Sequence, residues 1–419
     1  MQAPLVAIIS QGCAANFGDG ERIARALATK FRIAFSLPTG EIPATIYLNI
    51  CTAKGIAGAL KLLRKTIETF PGVPVYITGC PTKDFREEAL GILPSLQFTD
   101  FTEIESKIGT DRESDTSSSP LLRTSRFTGI VNIEQGCMDA CAFCSTHLVK
   151  GRLRSYSTES ITAQVHNLVN SGCSEILLTG QDCGCYGFDT GTNLAELVQN
   201  ILVHVPGDYK LRLGMGNPRH LLTYADALLD CFADNRVYKF IHLPVQSGSE
   251  RILKAMNRRH TARDYASLAE MFNRHFDRFT LSTDMIVGFP GETDEDFNAT
   301  LDLLKETRPT VCNITRFVAR PGTPAFVLNR EAAVSDAEKH RRSAALAQAF
   351  QEIACENNAR WIGHETEVRT EKEGHRSGTT IARNEAYNPV AIPGNFAPGQ
   401  KMSVRITGAE PFALIAEPL

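Results

Sequence analysis

Short apolar runs of strand length alternate with helical stretches over the first quarter of the chain. The runs are rich in Ile, Val and Tyr, and the stretches between them have helix-like patterns. Alternation of this kind predicts a parallel α/β sheet. The predicted strands cover residues 5–10, 44–50 and 74–79, and the predicted helices between them cover 21–31 and 56–69.

A longer series of the same units begins near residue 125. Its six apolar runs are separated by stretches with apolar residues at i, i+4 and i+7, which is helical spacing. Six consecutive strand–helix units predict an open, partial (β/α)6 barrel of the TIM type, with its active site at the C-terminal strand ends. The predicted strands are 129–133, 175–179, 210–215, 240–245, 280–287 and 311–318, and a helix at 335–359 follows.

The final segment, 359–419, contains five β-like runs separated by Gly, Asn and Pro. This pattern predicts a small five-stranded, OB-like barrel, a fold that often binds nucleic acid. Residues 360–419 hold seven basic and seven acidic side chains, so the electrostatic case for nucleic acid is weak. A structural cap is the alternative interpretation. The runs are 365–370, 378–383, 388–392, 401–407 and 412–416.

Composition narrows the class of protein further. The 419 residues are 43% hydrophobic and 22% charged, with a net charge of −3, which is ordinary for a globular chain and leaves no strong overall footprint for nucleic acid. No apolar run approaches the roughly 20 residues that a bilayer crossing needs, and no export signal is visible. We therefore expect a cytoplasmic protein without membrane contact, whose twelve cysteines serve metal binding or catalysis.

One cysteine triad, Cys137, Cys141 and Cys144, lies in the loop after the first strand of the predicted barrel. Thiolates are the usual ligands of iron–sulfur clusters, and a 4Fe–4S cluster normally takes four. Three ligands leave one iron open to bind a small molecule. Zinc is the rival interpretation, with His147 as a fourth ligand.

A second triad consists of Cys13, Cys51 and Cys80, each of which follows a predicted strand. Because the carboxyl ends of parallel strands share one edge of a sheet, these thiols should converge. The alternative is that they are buried core cysteines. Of the other six cysteines, Cys183 and Cys185 are predicted to be buried fillers, with extra thiols near the clusters as the alternative. The remaining four are predicted to lie in the core: Cys173, Cys231, Cys312 and Cys355.

Further polar or glycine-rich segments stand at predicted strand ends. They are Gly180-Gln181-Asp182, residues 246–249, and residues 284–293, and glycine there permits close approach of the backbone to a cofactor. Two basic groups could hold phosphates, although a solvated helix face is an alternative for the second. They are Lys150, Arg152 and Arg154, and Lys254, Arg258, Arg259 and Arg263.

With both triads, these motifs resemble the methylthiotransferases, a radical S-adenosylmethionine (SAM) family. Phe143 occupies the aromatic position of the cysteine motif, and residues 182–187, 191–194 and 211–218 resemble the archaeal and eukaryotic branch that acts on threonylcarbamoyladenosine in tRNA. The resemblance spans the chain as four parts: an N-terminal cluster domain at 1–109, a polar linker at 110–124, a radical SAM core at 125–358 and a TRAM domain at 359–419.

The resemblance implies addition of a methylthio group to carbon 2 of N6-threonylcarbamoyladenosine at tRNA position 37. It implies two 4Fe–4S-type clusters with three cysteine ligands each: Cys137, Cys141 and Cys144 for the one that cleaves SAM, and Cys13, Cys51 and Cys80 for an auxiliary one. No acid, base or nucleophile is assigned, because the cofactor carries the attack on the C–H bond. The expected SAM contacts are Phe143, Gly180, Gln181, Asp182, Gln246 and Arg258.

The partners implied are the anticodon loop of tRNA, SAM and an electron donor of flavodoxin or ferredoxin type, with the enzyme a monomer. Two related functions stay open: methylthiolation of another tRNA base, or of an aspartate in a ribosomal protein. A non-catalytic iron–sulfur RNA-binding protein is the alternative from another class.

Overall fold

The computed structural model describes residues 3–52, 55–108 and 122–419. Over these ranges the strands are β1 (Leu5–Ser10), β2 (Arg32–Ala34), β3 (Thr45–Cys51), β4 (Val75–Cys80), β5 (Gln97–Phe98), β6 (Thr128–Asn132), β7 (Glu134–Gln135), β8 (Arg154–Ser155), β9 (Glu175–Thr179), β10 (Lys210–Leu213), β11 (Phe240–His242), β12 (Thr280–Val287), β13 (Val311–Arg316), β14 (Glu365–Glu373), β15 (Thr379–Arg383), β16 (Pro389–Pro393), β17 (Lys401–Glu410) and β18 (Ala413–Pro418).

The α-helices over the same ranges are α1 (Ala14–Leu27), α2 (Ala57–Thr69), α3 (Lys83–Ile92), α4 (Phe101–Ile108), α5 (Ser145–Lys150), α6 (Thr158–Asn170), α7 (Leu194–His204), α8 (Pro218–Leu221), α9 (Ala225–Cys231), α10 (Glu250–Ala255), α11 (Ala262–His275), α12 (Asp294–Thr307), α13 (Pro324–Ala332) and α14 (Asp336–Ala359). Among the described residues, no helix combines the length and apolarity needed to cross a membrane.

The chain forms two compact units, and the first comprises residues 1–138, 144–181 and 203–207. Its main sheet is parallel, in the order β2-β1-β3-β4-β5. Apolar side chains from β3 and β4 pack against α2 and α3 in one cluster, while β1 packs against α1 in another. The same unit contains the parallel pair β6–β9 and the short antiparallel pair β7–β8.

The second unit comprises residues 139–143, 182–202 and 208–419. Strands β11, β12 and β13 form a parallel sheet with β12 in the centre. Strands β14 to β18 close into a barrel of order β14-β15-β16-β18-β17 around an apolar core. This barrel contacts the strands of its own unit through Glu385, whose carbonyl accepts from the Lys239 amide at 2.8 Å, and through Tyr387, whose ring packs on Tyr238 and Phe240.

The expected α/β class and the closed C-terminal barrel are confirmed. Strand boundaries mostly agree within two or three residues, and the predicted strands at 5–10, 175–179 and 280–287 agree at both ends. The predicted linker at 110–124 lies outside the described residues up to residue 121. The short strands β2, β5, β7 and β8 and the helices α3 and α4 were not predicted, because they are brief or only weakly apolar.

A buried ion pair connects the loop after β12 to helix α14. The Arg342 guanidinium lies 2.7 Å from the Glu292 carboxylate, and the two side chains are 5% and 1% exposed. Burial raises the pKa of Glu292, although hydrogen bonds from the Gly288 amide and Arg342 oppose this effect. The Glu292 side chain therefore holds its own loop against α14, which gives the segment 284–293 a structural function that the sequence did not reveal.

We expect Arg342→Met to destabilise the protein by about 3–5 kcal/mol, because removal of one partner leaves a buried charge unpaired. The midpoint of chemical denaturation of the purified, metal-free chain measures this loss. Arg341→Met is the matched control on the same helix, since Arg341 is 54% exposed and pairs at the surface. Equal midpoints for the two variants would contradict the assignment.

Candidate metal and cofactor site

The N-terminal triad lies at one edge of the parallel sheet of the first unit. Cys51 and Cys80 end β3 and β4 and are paired directly across the two strands. Cys13 is the residue on which α1 begins, just after β1. The Cys51 side chain makes hydrogen bonds with both other thiols. The predicted convergence of Cys13, Cys51 and Cys80 is therefore what the structure shows, although their binding of a metal stays a prediction.

Backbone and amide contacts hold these strand ends together. Asn16 donates from its side chain to the carbonyls of Gln11 and Asn49, at 2.7 and 2.9 Å. The Thr52 hydroxyl donates to the Cys80 carbonyl at 2.8 Å. Sequence reasoning missed Asn49 and Thr52 as supports, although each lies within two residues of Cys51 in the chain.

Glycine next to Cys13 gives the triad its close spacing. Gly12 has a φ of +125°, and a Cβ placed on it would lie only 2.4 Å from the Cβ of Cys51. A side chain there would push β3 away from the start of α1. The thiol donors and this lack of a side chain fit an iron–sulfur cluster with three cysteine ligands.

The thiols of the triad differ electrostatically. The hydrogen bond with Cys51 raises the pKa of Cys13. The same partner lowers the pKa of Cys80, with a further lowering from the charge of Lys150. One acidic thiol next to a cation is a typical environment for a thiolate ligand.

Two residues of the second triad, Cys137 and Cys144, belong to the first unit. The Cys137 amide donates to the Gly151 carbonyl at 3.3 Å, and the preceding Gly136 amide donates to the Gln181 side chain at 2.6 Å. Burial raises the pKa of Cys144. Gln181 therefore braces the cysteine loop from the end of β9.

Gly180, beside Gln181, has a packing requirement of its own. A Cβ on Gly180 would lie 2.4 Å from a carboxylate oxygen of Glu134, which is 2% exposed. The absence of a side chain at Gly180 therefore lets the end of β9 approach β7. This contact explains the glycine without a cofactor, and its contact with SAM stays a prediction.

Cys141, the middle residue of the triad, belongs to the second unit. Arg258 lies against it, with one guanidinium nitrogen 3.5 Å from the Cys141 sulfur and another 2.7 Å from the Pro244 carbonyl. The Arg258 Nε atom is buried without a hydrogen-bond partner. Next to Cys141, Ala142 belongs to an apolar cluster against which Phe143 packs.

Gln246 follows β11 in the same unit and adopts a φ of +78°, which is uncommon for a residue other than glycine. It is 8% exposed, and its backbone is fixed by two bonds to β12, with Asp284 and Ile286, both at 2.8 Å. Residues held in such conformations cluster at ligand-binding sites. This geometry favours the proposed cofactor contact.

Asp182 takes part in a buried polar cluster with Asp139 and His220. The three are 2%, 6% and 2% exposed, and the His220 Nε2 atom lies 3.7 Å from Asp182 and 3.4 Å from Asp139. Burial raises the pKa of Asp182. Burial acts to raise the pKa of Asp139, but the hydrogen bond and the charge of His220, together with Arg219, outweigh it. The pKa of Asp139 is therefore below its ordinary value.

The backbone explains part of the function of Asp182. Its Oδ1 atom accepts from the amides of Gly184 and Asn217, at 3.1 and 2.8 Å, so it shapes the turn after it. Sequence reasoning did not single out His220 or Asp139, because neither stands in a glycine-rich segment.

Of the remaining six cysteines, Cys173, Cys183, Cys185 and Cys231 are buried, as predicted, and Cys312 in β13 is only partly buried. Cys355 is exposed on α14, so its assignment to the core is wrong. None of the twelve cysteines, all of which are described, forms a disulfide.

Lys150, in the first basic group that could hold phosphates, pairs with a carboxylate, and a phosphate contact stays a prediction. Its side chain is only 10% exposed, and its ammonium lies 2.7 Å from the Asp19 carboxylate. Arg152 and Arg154, by contrast, are exposed.

Comparison with known proteins identifies the relatives of this chain. Residues 131–304 match the Radical SAM superfamily and residues 359–419 match the TRAM domain. The chain is 35% identical to the probable threonylcarbamoyladenosine tRNA methylthiotransferase of Archaeoglobus fulgidus, over 96% of this chain and 95% of that protein. It is 34% identical to the protein of the same name from Pyrococcus horikoshii, over 98% and 99%.

Eukaryotic proteins match over most of this chain as well. The human threonylcarbamoyladenosine tRNA methylthiotransferase is 30% identical over 92% of this chain and 68% of its own length. Among solved structures, the radical SAM methyltransferase TsrM from Kitasatospora setae aligns with a TM-score of 0.58 at 12% identity, over 78% of this chain and 77% of that one. This likeness confirms the expected fold.

We expect Cys183→Ala to retain the full iron content after anaerobic reconstitution, because Cys183 is a buried filler with its amide bonded to the Met215 carbonyl at 2.9 Å. Cys144→Ala, the matched thiol replacement, should lose the iron of about one cluster. Iron per chain, measured by a colorimetric assay, compares the two. Loss of iron in Cys183→Ala would overturn the filler assignment.

Proposed function

Because the chain belongs to the threonylcarbamoyladenosine tRNA methylthiotransferases, a family of radical SAM enzymes, we propose that it adds a methylthio group to carbon 2 of N6-threonylcarbamoyladenosine at tRNA position 37. The observation that carries this proposal is 34–35% identity over nearly the full length of both proteins. A radical SAM enzyme binds a 4Fe–4S cluster and SAM, and the names of the relatives specify tRNA as their substrate.

The ligands of the SAM-cleaving cluster would be Cys137, Cys141 and Cys144. When bound, that cluster would supply the electron for reductive cleavage of SAM, and thereby the radical chemistry that attack on carbon 2 requires. The residues of this chain orient the loop for that chemistry: Gln181 holds Gly136, and Arg258 holds Cys141.

The SAM contacts would come from Phe143, Gly180, Gln181, Asp182, Gln246 and Arg258. The strained backbone of Gln246 and the buried, unpartnered Nε atom of Arg258 support two of these assignments. The packing of Gly180 on Glu134 and the backbone bonds of Asp182 support structural functions for those two residues as well.

The auxiliary cluster would be bound by Cys13, Cys51 and Cys80, and it would present the sulfur that is transferred. The adjacent pairing of Cys51 with Cys80 and the contact of Cys51 with Cys13 support this ligand set. The electron donor of flavodoxin or ferredoxin type, the anticodon loop as the bound part of the tRNA, the monomeric state, the domain boundaries and the cytoplasmic location stay predictions from the resemblance.

The reaction itself tests the function. We expect anaerobic incubation of the reconstituted enzyme with SAM, dithionite and tRNA that carries threonylcarbamoyladenosine to yield the 2-methylthio nucleoside, detected by mass spectrometry after digestion. The same tRNA without the threonylcarbamoyl group is the control and should stay unmodified.

Other outcomes of this assay decide between the alternatives. Product from tRNA that carries another modification, or from a ribosomal protein and not from tRNA, would replace the proposed substrate. Absence of 5′-deoxyadenosine under all conditions would favour the non-catalytic RNA-binding protein.

We expect Cys80→Ala to distinguish the functions of the two clusters. Its iron content should fall by about half, while cleavage of SAM to 5′-deoxyadenosine continues, because Cys137, Cys141 and Cys144 are intact. The methylthio product should be lost. Cys137→Ala is the matched control, with loss of 5′-deoxyadenosine as well, and full iron in Cys80→Ala would contradict an auxiliary cluster at this triad.

A further inference from the structure

Lys150 is a cation with a side chain only 10% exposed, and the proposed reaction does not use it. It is the last residue of α5, the helix that begins after Cys144. Its partner Asp19 lies in α1, the helix that begins after Cys13. The pair therefore connects two helices that each start at a predicted cluster ligand. Since buried ion pairs are weak evidence for stability, a function in the site has to be considered.

The position of this ion pair is fixed by an amide. Asn132, at the end of β6, donates from its side chain to the Asp19 carboxylate at 2.7 Å and to the Ala15 carbonyl at 3.1 Å. The other oxygen of Asp19 accepts from Lys150 at 2.7 Å. The carboxylate is thus held from two sides, and it holds the ammonium in turn.

Within the first unit, Lys150 lies between the N-terminal triad and Cys137 of the second triad. Its neighbour Gly151 accepts a hydrogen bond from the Cys137 amide, and the backbone of Arg152 forms an isolated parallel β-bridge with that of Cys137. On the other side, burial would lower the pKa of Lys150, but Asp19 and Cys80 raise it overall, so the side chain stays charged. Asp19, which binds the ammonium, lies in the helix that begins after Cys13, and Asn132 connects its carboxylate to the Ala15 carbonyl at the start of that helix. The ammonium is therefore held on the side of the N-terminal triad, and its charge contributes to the lowered pKa of Cys80.

We propose that Lys150 is a positioning residue that holds a positive charge beside the auxiliary cluster and stabilises the one-electron-reduced form of that cluster. This inference rests on the proposed function, because it requires a cluster on Cys13, Cys51 and Cys80. A cluster bound by three thiolates is anionic and gains negative charge on reduction, so a fixed cation raises its reduction potential. Asp19 limits that effect and orients the cation.

The test uses the full-length chain in which Cys137, Cys141 and Cys144 are replaced by Ala, so that only the auxiliary cluster gives a signal. The reconstituted protein is titrated anaerobically with dithionite and redox mediators, and the reduced cluster is followed by electron paramagnetic resonance. Lys150→Met leaves the Asp19 carboxylate unneutralised. We expect the ratio of reduced to oxidised cluster at a given potential to fall about tenfold, equivalent to about 59 mV for one electron.

Asp19→Asn provides the opposite change, because it leaves the Lys150 charge uncompensated. We expect its cluster to be easier to reduce than that of the parent, and the double variant with Lys150→Met to lie near the parent. Lys150→Arg keeps the charge and should retain most of the parental potential. Arg154→Met, which removes an exposed cation four residues away, should leave the potential unchanged.

Opposite shifts in Lys150→Met and Asp19→Asn support the proposal, whereas a purely structural contact would lower cluster content in both variants without separating their potentials. Shifts in one direction, or none, with the cluster present would overturn it and leave the proposed function intact. If Lys150→Met fails to fold, Asp19→Asn alone decides: no rise in potential overturns the proposal. No cluster in the parental background would overturn both the auxiliary cluster and the function of Lys150.

Discussion

The parallel register of β3 against β4 is the constraint on which the N-terminal site depends. It sets Cys51 opposite Cys80 at the edge where both strands end. Side chains alternate between the two faces of a strand, so a slip of one residue would turn one thiol away from the other. The same register lets the Thr52 hydroxyl reach the Cys80 carbonyl and lets Asn49 accept from Asn16. The position of Cys13 at the start of α1 is then restricted as well, because the preceding Gly12 lies directly against the Cβ of Cys51.

Much of this arrangement could be predicted from local sequence, since an apolar run identifies a strand and parallel strands end at one edge. The convergence of Cys13, Cys51 and Cys80 required no more than that. Lys150 could not be interpreted in the same way, because its partner Asp19 lies 131 positions away in the chain. Its basic neighbours predict a phosphate contact, but they give no sign of the ion pair with Asp19. The assignment of Cys355 to the core was wrong for a related reason. The sequence does not show which face of a helix is buried until the packing of that helix is known.

Two ion pairs with little exposed surface illustrate the functions of partners that lie far apart in the chain. Glu292 and Arg342 join a loop to a helix, and both of their side chains are surrounded by the protein. Lys150 and Asp19 are 10% and 20% exposed, and the charge of Lys150 contributes to the lowered pKa of Cys80. Both are ion pairs between a basic side chain and a carboxylate. What differs is their surroundings, and these decide whether the pair is only a structural contact or also acts on a site. An acidic residue in a glycine-rich segment, such as Glu292, is therefore not by itself evidence for catalysis.

The C-terminal barrel raises a different electrostatic question, because RNA binding needs cations that are available to phosphates. Most of its basic side chains already face carboxylates: Arg369 and Lys401 contact Asp208, Arg383 contacts Glu371, Arg376 contacts Glu410, and Arg405 contacts Glu365. The pairs of Arg376, Lys401 and Arg405 are exposed and contribute little to stability, so a phosphate could replace their carboxylates at small cost, whereas Arg369 is buried. RNA bound to this neutral barrel would have to exchange partners with these exposed side chains. The attraction at long range stays weak, which favours recognition by shape and by local contacts over attraction to any polyanion.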